Sequence, residues 1–513
     1  MKKIVIICDF NKSSGFGHIT RMSSLSKSFN LSSEEVTFLF ELRHKKFIQN
    51  HVKDLKCKYV SFSLRKTSKK IEEYLSKNLV DIVVFDSYLI DIKLEKKLYK
   101  NFFIVSIDDK GLKHNSHIVF NSREDLLSHK FCKAGHLWFT GKKFLLMNET
   151  KKKYKNKNLI KKILIHAGGS SAYKLINNFF NSSITYLSNK DVVVDILYNN
   201  IKNYKDLIAK IDLLVGQNKK YRLLKFNNSF SKNIYKYDVV AGPAGTTTFE
   251  TMSSGVLNFS FPLINDGRDS MLTWNLLGNI IHLDFDERNN KIIIEQMWNY
   301  VFLNYKILDK NIKKNSKLIF DNSKHISNLI KKYQKNKSLL FTKFKDRKDT
   351  YKIKKAELKF ARSFLISRNS LRVRRLSSNP NHIISFPEHL NWWKDNKIKK
   401  FILLKNKSIP SAYHWIKLLN KDNKKIIISG WFLDNNENDS LRMSFEIIKH
   451  QKNIIKKYYK GYNWLININK KNNLSIRMNE SIGFKKASSA SFEKAIEIFK
   501  FNKKNFNVYE MKL

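Results

Sequence analysis

Short uninterrupted apolar runs, spaced by stretches of helical character, constrain this chain more than any other feature. Ile4–Cys8 comes first, followed by Val36–Phe40, Ile82–Phe85 and Phe102–Ile107. A strand with one wet face alternates apolar and polar residues. A strand that is apolar throughout is buried on both faces, which implies a parallel sheet covered by helices on each side. A second series, Lys162–His166, Val192–Leu197, Tyr221–Phe226 and the run from Asp238, repeats the pattern and implies a second such sheet. At 513 residues the chain exceeds what one core organises, so it should divide into about three units. The boundaries read as 1–155, 156–335 and 345–513, with lysine-rich connectors at Lys151–Lys157 and Lys335–Thr350.

Glycine turns punctuate both series. Gly15-Phe16-Gly17-His18, with Arg21 one helical turn later, joins the first run to a predicted helix over Ile19–Phe29. A strand, a glycine turn and a helix start form a cradle for phosphate, because free N–H groups and the positive end of the helix dipole face the anion. His18 adds a side chain able to act as a base near neutral pH, or else simply caps the helix. Ligands of such sheets bind beyond the C-terminal strand ends. Asp86-Ser87-Tyr88 and Ile107-Asp108-Asp109 fall there, as site residues or as caps and an aromatic lid.

The second series carries Gly168-Gly169-Ser170 after its first run, then Gly242-Pro243-Ala244-Gly245-Thr246-Thr247-Thr248-Phe249-Glu250. Gly242 and Gly245 would let backbone approach a diphosphate, Thr246 and Thr247 would donate to its oxygens, and Glu250 would accept from ribose hydroxyls. The alternative for Glu250 is a carboxylate that favours its helix start.

Taken together these motifs resemble the GT-B fold of MurG-type nucleotide-sugar enzymes and, more narrowly, the PseG family. The resemblance covers roughly residues 1–320. It rests on Gly15–His18 with Arg21, Asp86-Ser87-Tyr88, Thr140–Leu146, His166–Gly169 and Gly242–Glu250, all in the family's order. Asn265-Asp266 stands where the family carries Asn-Gln, and Pro243 replaces a small residue. The resemblance implies an α/β fold: a GT-B-like pair of Rossmann-like domains, followed by the third segment. It also implies inverting hydrolysis of the UDP-linked diacetamido-trideoxy-altrose of pseudaminic acid synthesis to UDP and free sugar. His18 would be the base, with Tyr88 and Asn265 orienting sugar and water. Gly15, Gly17, Arg21, Asp86, Gly168, Gly169, Ser170, Gly242, Gly245, Thr246, Thr247 and Glu250 would bind substrate. No metal is expected, and hydrolysis needs no cofactor. A GT-B glycosyltransferase and a non-catalytic nucleotide-sugar-binding protein are the competing readings.

The third segment reads Arg368-Asn369, Val373-Arg374, Pro387-Glu388-His389, Trp392-Trp393, then Asn472-Asn473-Leu474-Ser475 and Ile482-Gly483-Phe484. This resembles GNAT acetyltransferases of the PseH type, an α+β fold, and implies acetyl-CoA. The family holds the cofactor pyrophosphate on a glycine-rich turn. Here Asp434–Asp439 contains no glycine, so an active acetyltransferase and a structural or substrate-holding domain both stand.

The net charge of +53 is spread over every segment, in a chain rich in Lys, Asn and Ile. That distribution reads as AT-rich coding rather than a docking stripe, so no specific nucleic-acid partner is expected. Cys8, Cys57 and Cys132 lack metal spacing and fit a reducing compartment. With no run long enough to span a bilayer, and a first apolar run that meets Asp9 too soon for a signal peptide, the expected location is cytoplasmic, without a membrane partner. Oligomeric state is not legible.

Overall fold

The computed structural model describes residues 3–9, 17–31, 35–41, 58–62, 68–88, 92–123, 132–153, 158–168, 173–198, 209, 213, 220–225, 230–262, 280–284, 287–341, 350–405, 409–421, 424–434 and 440–512. The chain forms two compact units, Met1–Arg347 and Lys348–Leu513.

Seven strands make the first sheet of unit one: β1 (Ile4–Cys8), β2 (Val36–Glu41), β3 (Lys58–Phe62), β4 (Ile82–Asp86), β5 (Phe103–Asp108), β6 (Ile118–Asn121) and β7 (Leu137–Thr140). Their order is β3-β2-β1-β4-β5-β6-β7 and every pairing is parallel. Successive β1 residues serve opposite cores. Ile4, Ile6 and Cys8 join Met22 and Leu25 of the helix Gly17–Ser28, whereas Val5 and Ile7 join Ile71, Leu75, Leu94 and Leu98. At about 1.5–3 kcal/mol for each fully buried large side chain, these two cores fix the strand's register. β3 and β7 are edge strands, so they need not be apolar throughout and do not stand out as runs in the sequence.

The second sheet holds β8 (Lys162–His166), β9 (Val193–Tyr198), β10 (Tyr221–Lys225), β11 (Val239–Pro243), β12 (Leu257–Phe261) and β13 (Ile280–His282). It too is parallel, in the order β10-β9-β8-β11-β12-β13. Both sheets are Rossmann-like.

The helix Ser323–Lys335, placed by the sequence reading in the second domain, returns to the first. Its Ile326 and Ile330, with Leu340 beyond it, enter the core of Ile4, Met22 and Leu25. Lys331 Nζ donates to the Phe29 carbonyl at 2.8 Å, just past the end of the first helix. An amphipathic helix shows which face is buried but not which sheet will bury it. The start of the connector at Lys151 is likewise anchored rather than loose. Lys152 Nζ donates to the Ser253, Ser316 and Ile319 carbonyls, serving the ends of two helices. Lys153 Nζ pairs with buried Asp238 at 2.8 Å.

Unit two is α+β. Its sheet runs β14-β15-β16-β17-β18-β20-β19. The strands are β14 (Tyr351–Lys355), β15 (Ile398–Lys405), β16 (Ile409–Lys421), β17 (Lys424–Leu433), β18 (Asn463–Asn469), β19 (Lys485–Lys486) and β20 (Phe506–Lys512). All described pairings are antiparallel except β17 with β18, which pair over Ile426–Ile428 and Asn463–Leu465. No helix among the described residues is long and apolar enough to cross a membrane.

Candidate functional site

In the first sheet the strand order reverses at β1 and β4, the point where open α/β sheets bind ligands beyond their C-terminal ends. The helix Gly17–Ser28 begins at that rim and places His18 and Arg21, three residues apart, on one side. Asp86 ends β4, Tyr88 lies just past it, and Asp109 follows β5.

Asp86, fully buried, organises this end. It accepts His18 Nδ1 at 2.7 Å, Arg21 Nε at 2.7 Å, and Arg21 Nη2 in a very close contact. Arg21 Nη1 donates to Asp109 Oδ2 at 2.8 Å, and the Tyr88 hydroxyl donates to Asp109 Oδ1 at 2.5 Å. The His18 and Tyr88 rings meet edge to face with centroids 4.8 Å apart. Asp9, just after β1, accepts the Tyr88 N–H at 2.6 Å and the Ser87 hydroxyl at 2.5 Å.

Charge settles which atoms carry hydrogen. Burial alone would raise the pKa of Asp86, but Arg21 and then His18 outweigh it and hold the carboxyl below its ordinary range. The same balance, again with Arg21 the largest opposing influence, keeps Asp109 ionised. Burial, reinforced by Asp109, pushes the Tyr88 phenol up, so it stays protonated. An ionised carboxylate only accepts, so His18 Nδ1 carries the hydrogen of this contact, with Arg21 Nη2 also 3.1 Å from that nitrogen; in the neutral ring the lone pair is then on Nε2. Among the described residues nothing occupies Nε2. A neutral imidazole oriented by a carboxylate through one nitrogen and open at the other is a general base.

The second sheet reverses at β8 and β11, and its glycine turns sit there. The helix Thr246–Ser254 starts at Gly245, beside which an added methyl would meet only open space. The Thr248 hydroxyl takes the Gly245 N–H at 3.3 Å, and the Thr246 and Thr247 N–H groups lack partners among the described residues. A methyl on Gly17 would lie 2.9 Å from Thr246 Oγ1, so the two helix starts face one another.

Three expected binding residues have other work. The Gly168 N–H donates to His166 Nδ1 at 3.2 Å rather than standing free for phosphate. Burial lowers the pKa of His166 to about 4, so this ring is neutral. Gly242, at φ +155°, makes room for that ring and strand: an added Cβ would stand 2.4 Å from the His166 carbonyl oxygen. Glu250 is enclosed, accepting from Ser231 Oγ at 2.9 Å and from Asn148. Burial raises its pKa to about 7 despite these bonds. A ribose contact would require one of these partners to give way.

Gly15, Gly169, Ser170 and Asn265 lie outside the described residues. Of the neighbouring Asp108 and Asp109, only the second belongs to the site. Asp108 accepts the N–H groups of Lys110, Gly111 and Leu112 and the Asn121 amide, which shapes its own loop. Asp9 was not foreseen as a site residue, although an acid directly after a buried strand is a usable signal.

In unit two the Asn369 and Arg374 motif is a loop staple. Asn369 pairs through both amide atoms with the Ile384 backbone, and Arg374 Nε donates to the Asn369 carbonyl. His389 is buried beside Trp392 and Phe364, and Asn472 caps the helix Asn473–Ser481.

No family model matches the chain, and no curated protein matches it. Solved structures do. Acinetobacter baumannii MurG is 15% identical with a TM-score of 0.48, covering 64% of this chain and 99% of its own. A putative UDP-N-acetylglucosamine 2-epimerase from Listeria monocytogenes is 13% identical, also at 0.48, covering 68% and 100%. The Streptomyces sp. SF2575 glycosyltransferase SsfS6, complexed with thymidine diphosphate, is 11% identical at 0.43, covering 65% and 100%.

Proposed function

We propose that unit one is a GT-B-type enzyme that hydrolyses a UDP-linked amino sugar of the PseG substrate class, releasing UDP and the free sugar. The observation that carries this reading is His18: its Nδ1 is held on Asp86, its Nε2 has no partner among the described residues, and its helix start faces that of Thr246.

In this reading the diphosphate lies against the helix starts of both halves, where helix-start N–H groups and two dipoles stabilise charge as it builds. A water oxygen attacks the anomeric carbon from the face opposite the diphosphate and forms the new C–O bond. The old C–O bond breaks, and its electron pair leaves on the β-phosphate oxygen of UDP. One water proton passes to His18 Nε2, and the resulting imidazolium is stabilised by Asp86. The configuration inverts with no covalent intermediate.

Unit two receives no chemical step. Its helix Ser440–Tyr458 follows Asp434, Glu437 and Asp439. In the sequence the stretch from Asp434 to Asp439 carries three carboxylates and no glycine, which argues against the pyrophosphate turn for the acetyl-CoA that the resemblance implies, and residues 435–439 lie outside the described residues.

The test is to incubate the full chain with the UDP-linked diacetamido-trideoxy-altrose and with UDP-N-acetylglucosamine, following UDP and the sugar anomer by proton NMR. UDP release with inversion in water alone supports the reading. Release only when an acceptor sugar is added would favour a glycosyltransferase, and nucleotide-sugar binding without any release would leave a binding protein.

A further inference from the structure

Asp109 lies beyond the motifs that carry the resemblance, yet it contacts two residues of the site. One oxygen accepts Arg21 Nη1 and the other accepts the Tyr88 hydroxyl. Because a carboxylate has no hydrogen to give, the direction of the second bond is fixed: the phenol donates inward. Tyr88, 41% exposed, therefore presents only lone pairs from its oxygen toward the rim. His18 is oriented the same way by Asp86, so that in the neutral ring the lone pair is on Nε2. Two acceptors thus stand on rings that meet edge to face.

A water molecule has two hydrogens and two lone pairs. Held by two acceptors, it spends both hydrogens and leaves its lone pairs for an electrophile. Were Tyr88 free to turn its hydrogen outward, it would donate to the water oxygen, occupying one of its lone pairs and weakening it as a nucleophile, and would leave one water hydrogen without its acceptor. We propose that Asp109 is a positioning residue that fixes Tyr88 as an acceptor, so that His18 Nε2 and the Tyr88 oxygen take both hydrogens of the attacking water. This rests on the hydrolase reading above.

Asp109→Asn inverts the polarity while keeping the shape. Arg21 can only donate, so it claims the amide oxygen, and the –NH2 group then faces Tyr88. Tyr88 must accept from it and turns its own hydrogen toward the water. Turnover of the UDP-sugar should fall roughly 10- to 100-fold, toward the scale of a lost acid–base contribution. KM, UDP affinity and melting temperature should stay near wild type. Tyr88→Phe should show a comparable loss of kcat, again at little changed KM. Introduced into the Tyr88→Phe background, Asp109→Asn should cost less than about twofold, because its effect passes through the missing hydroxyl.

An equal cost in both backgrounds would overturn the proposal and leave the hydrolase reading standing. So would wild-type turnover in either single variant, which keeps the idea testable if Asp109→Asn fails to fold. A wild-type chain that releases no UDP from any UDP-sugar would remove the hydrolase reading and this inference together.

Discussion

Gly17 opens the first helix of the chain against Thr246, which opens a helix of the second sheet, with 2.9 Å between the threonine hydroxyl and the place a methyl would take on the glycine. Two positive helix ends at one contact favour an anion held between them. The approach admits a side chain at position 17 only if the Thr246 hydroxyl moves aside.

Gly17→Ala should therefore turn the Thr246 hydroxyl away rather than unfold the chain, because a single χ1 rotation relieves the clash. UDP affinity should drop by about three- to tenfold, the cost of one neutral hydrogen bond and some displacement. Adding Thr246→Ala removes the atom in the way. Calorimetry should then show no further loss from the glycine substitution.

His18→Gln keeps a polar side chain at the rim but removes the base. UDP release should fall by about 10²- to 10⁴-fold while UDP binding changes little, because a base acts on the transition state. Turnover near wild type would reassign His18 to the helix cap that its position also allows.

Gly242→Ala should be a folding defect. The added Cβ meets a backbone oxygen, His166 O, at 2.4 Å, and the imidazole at 2.8 Å. Removing the ring with His166→Ala leaves that oxygen in place, so the double variant should not recover. A loss of about 3 kcal/mol or more is expected from urea unfolding, at the upper end for overpacking.

The double-sided burial of β1, β4 and β5 was legible because a buried parallel strand writes itself as an unbroken apolar run. β6, only four residues long and ending in Asn121, was too short to register. His18, Arg21, Asp86 and Tyr88 were legible as a set because strand-end positions in such sheets converge on one rim. Their proton bookkeeping was not, since it depends on Asp109, whose side-chain direction differs from that of Asp108 for reasons only the fold supplies. Gly168 and Gly242 have close contacts that the sequence could not show: the Gly168 N–H donates to the ring of His166 two residues before it, and Gly242 makes room for the same residue across the neighbouring strand.

The loop that carries Asp109 should make stability depend on alkaline pH. His114, further along it, has Nδ1 2.7 Å from Glu95 and Nε2 3.9 Å from Asp108, and its side chain is largely buried. Burial works against its charge, but the nearby Asp108 carboxylate and the hydrogen-bonded Glu95 prevail and raise its pKa to about 9. In the unfolded chain it titrates near its ordinary 6.5. The folded form thus holds its proton more tightly. The stabilisation is complete below about pH 6.5, declines as pH rises, and is gone above about pH 9. Its size is at most about 3 kcal/mol, at 1.36 kcal/mol per pKa unit. Urea unfolding at pH 6 and pH 9.5 should show the decline, and His114→Gln should flatten it while lowering stability at pH 6. Because Asn115 is also bonded to Glu95, loss of the His114 charge should loosen the strand-to-strand connection on which Asp109 sits. Alkaline pH should then reduce turnover before it unfolds the chain. A variant profile that tracks wild type across this range would show that His114 holds nothing in place.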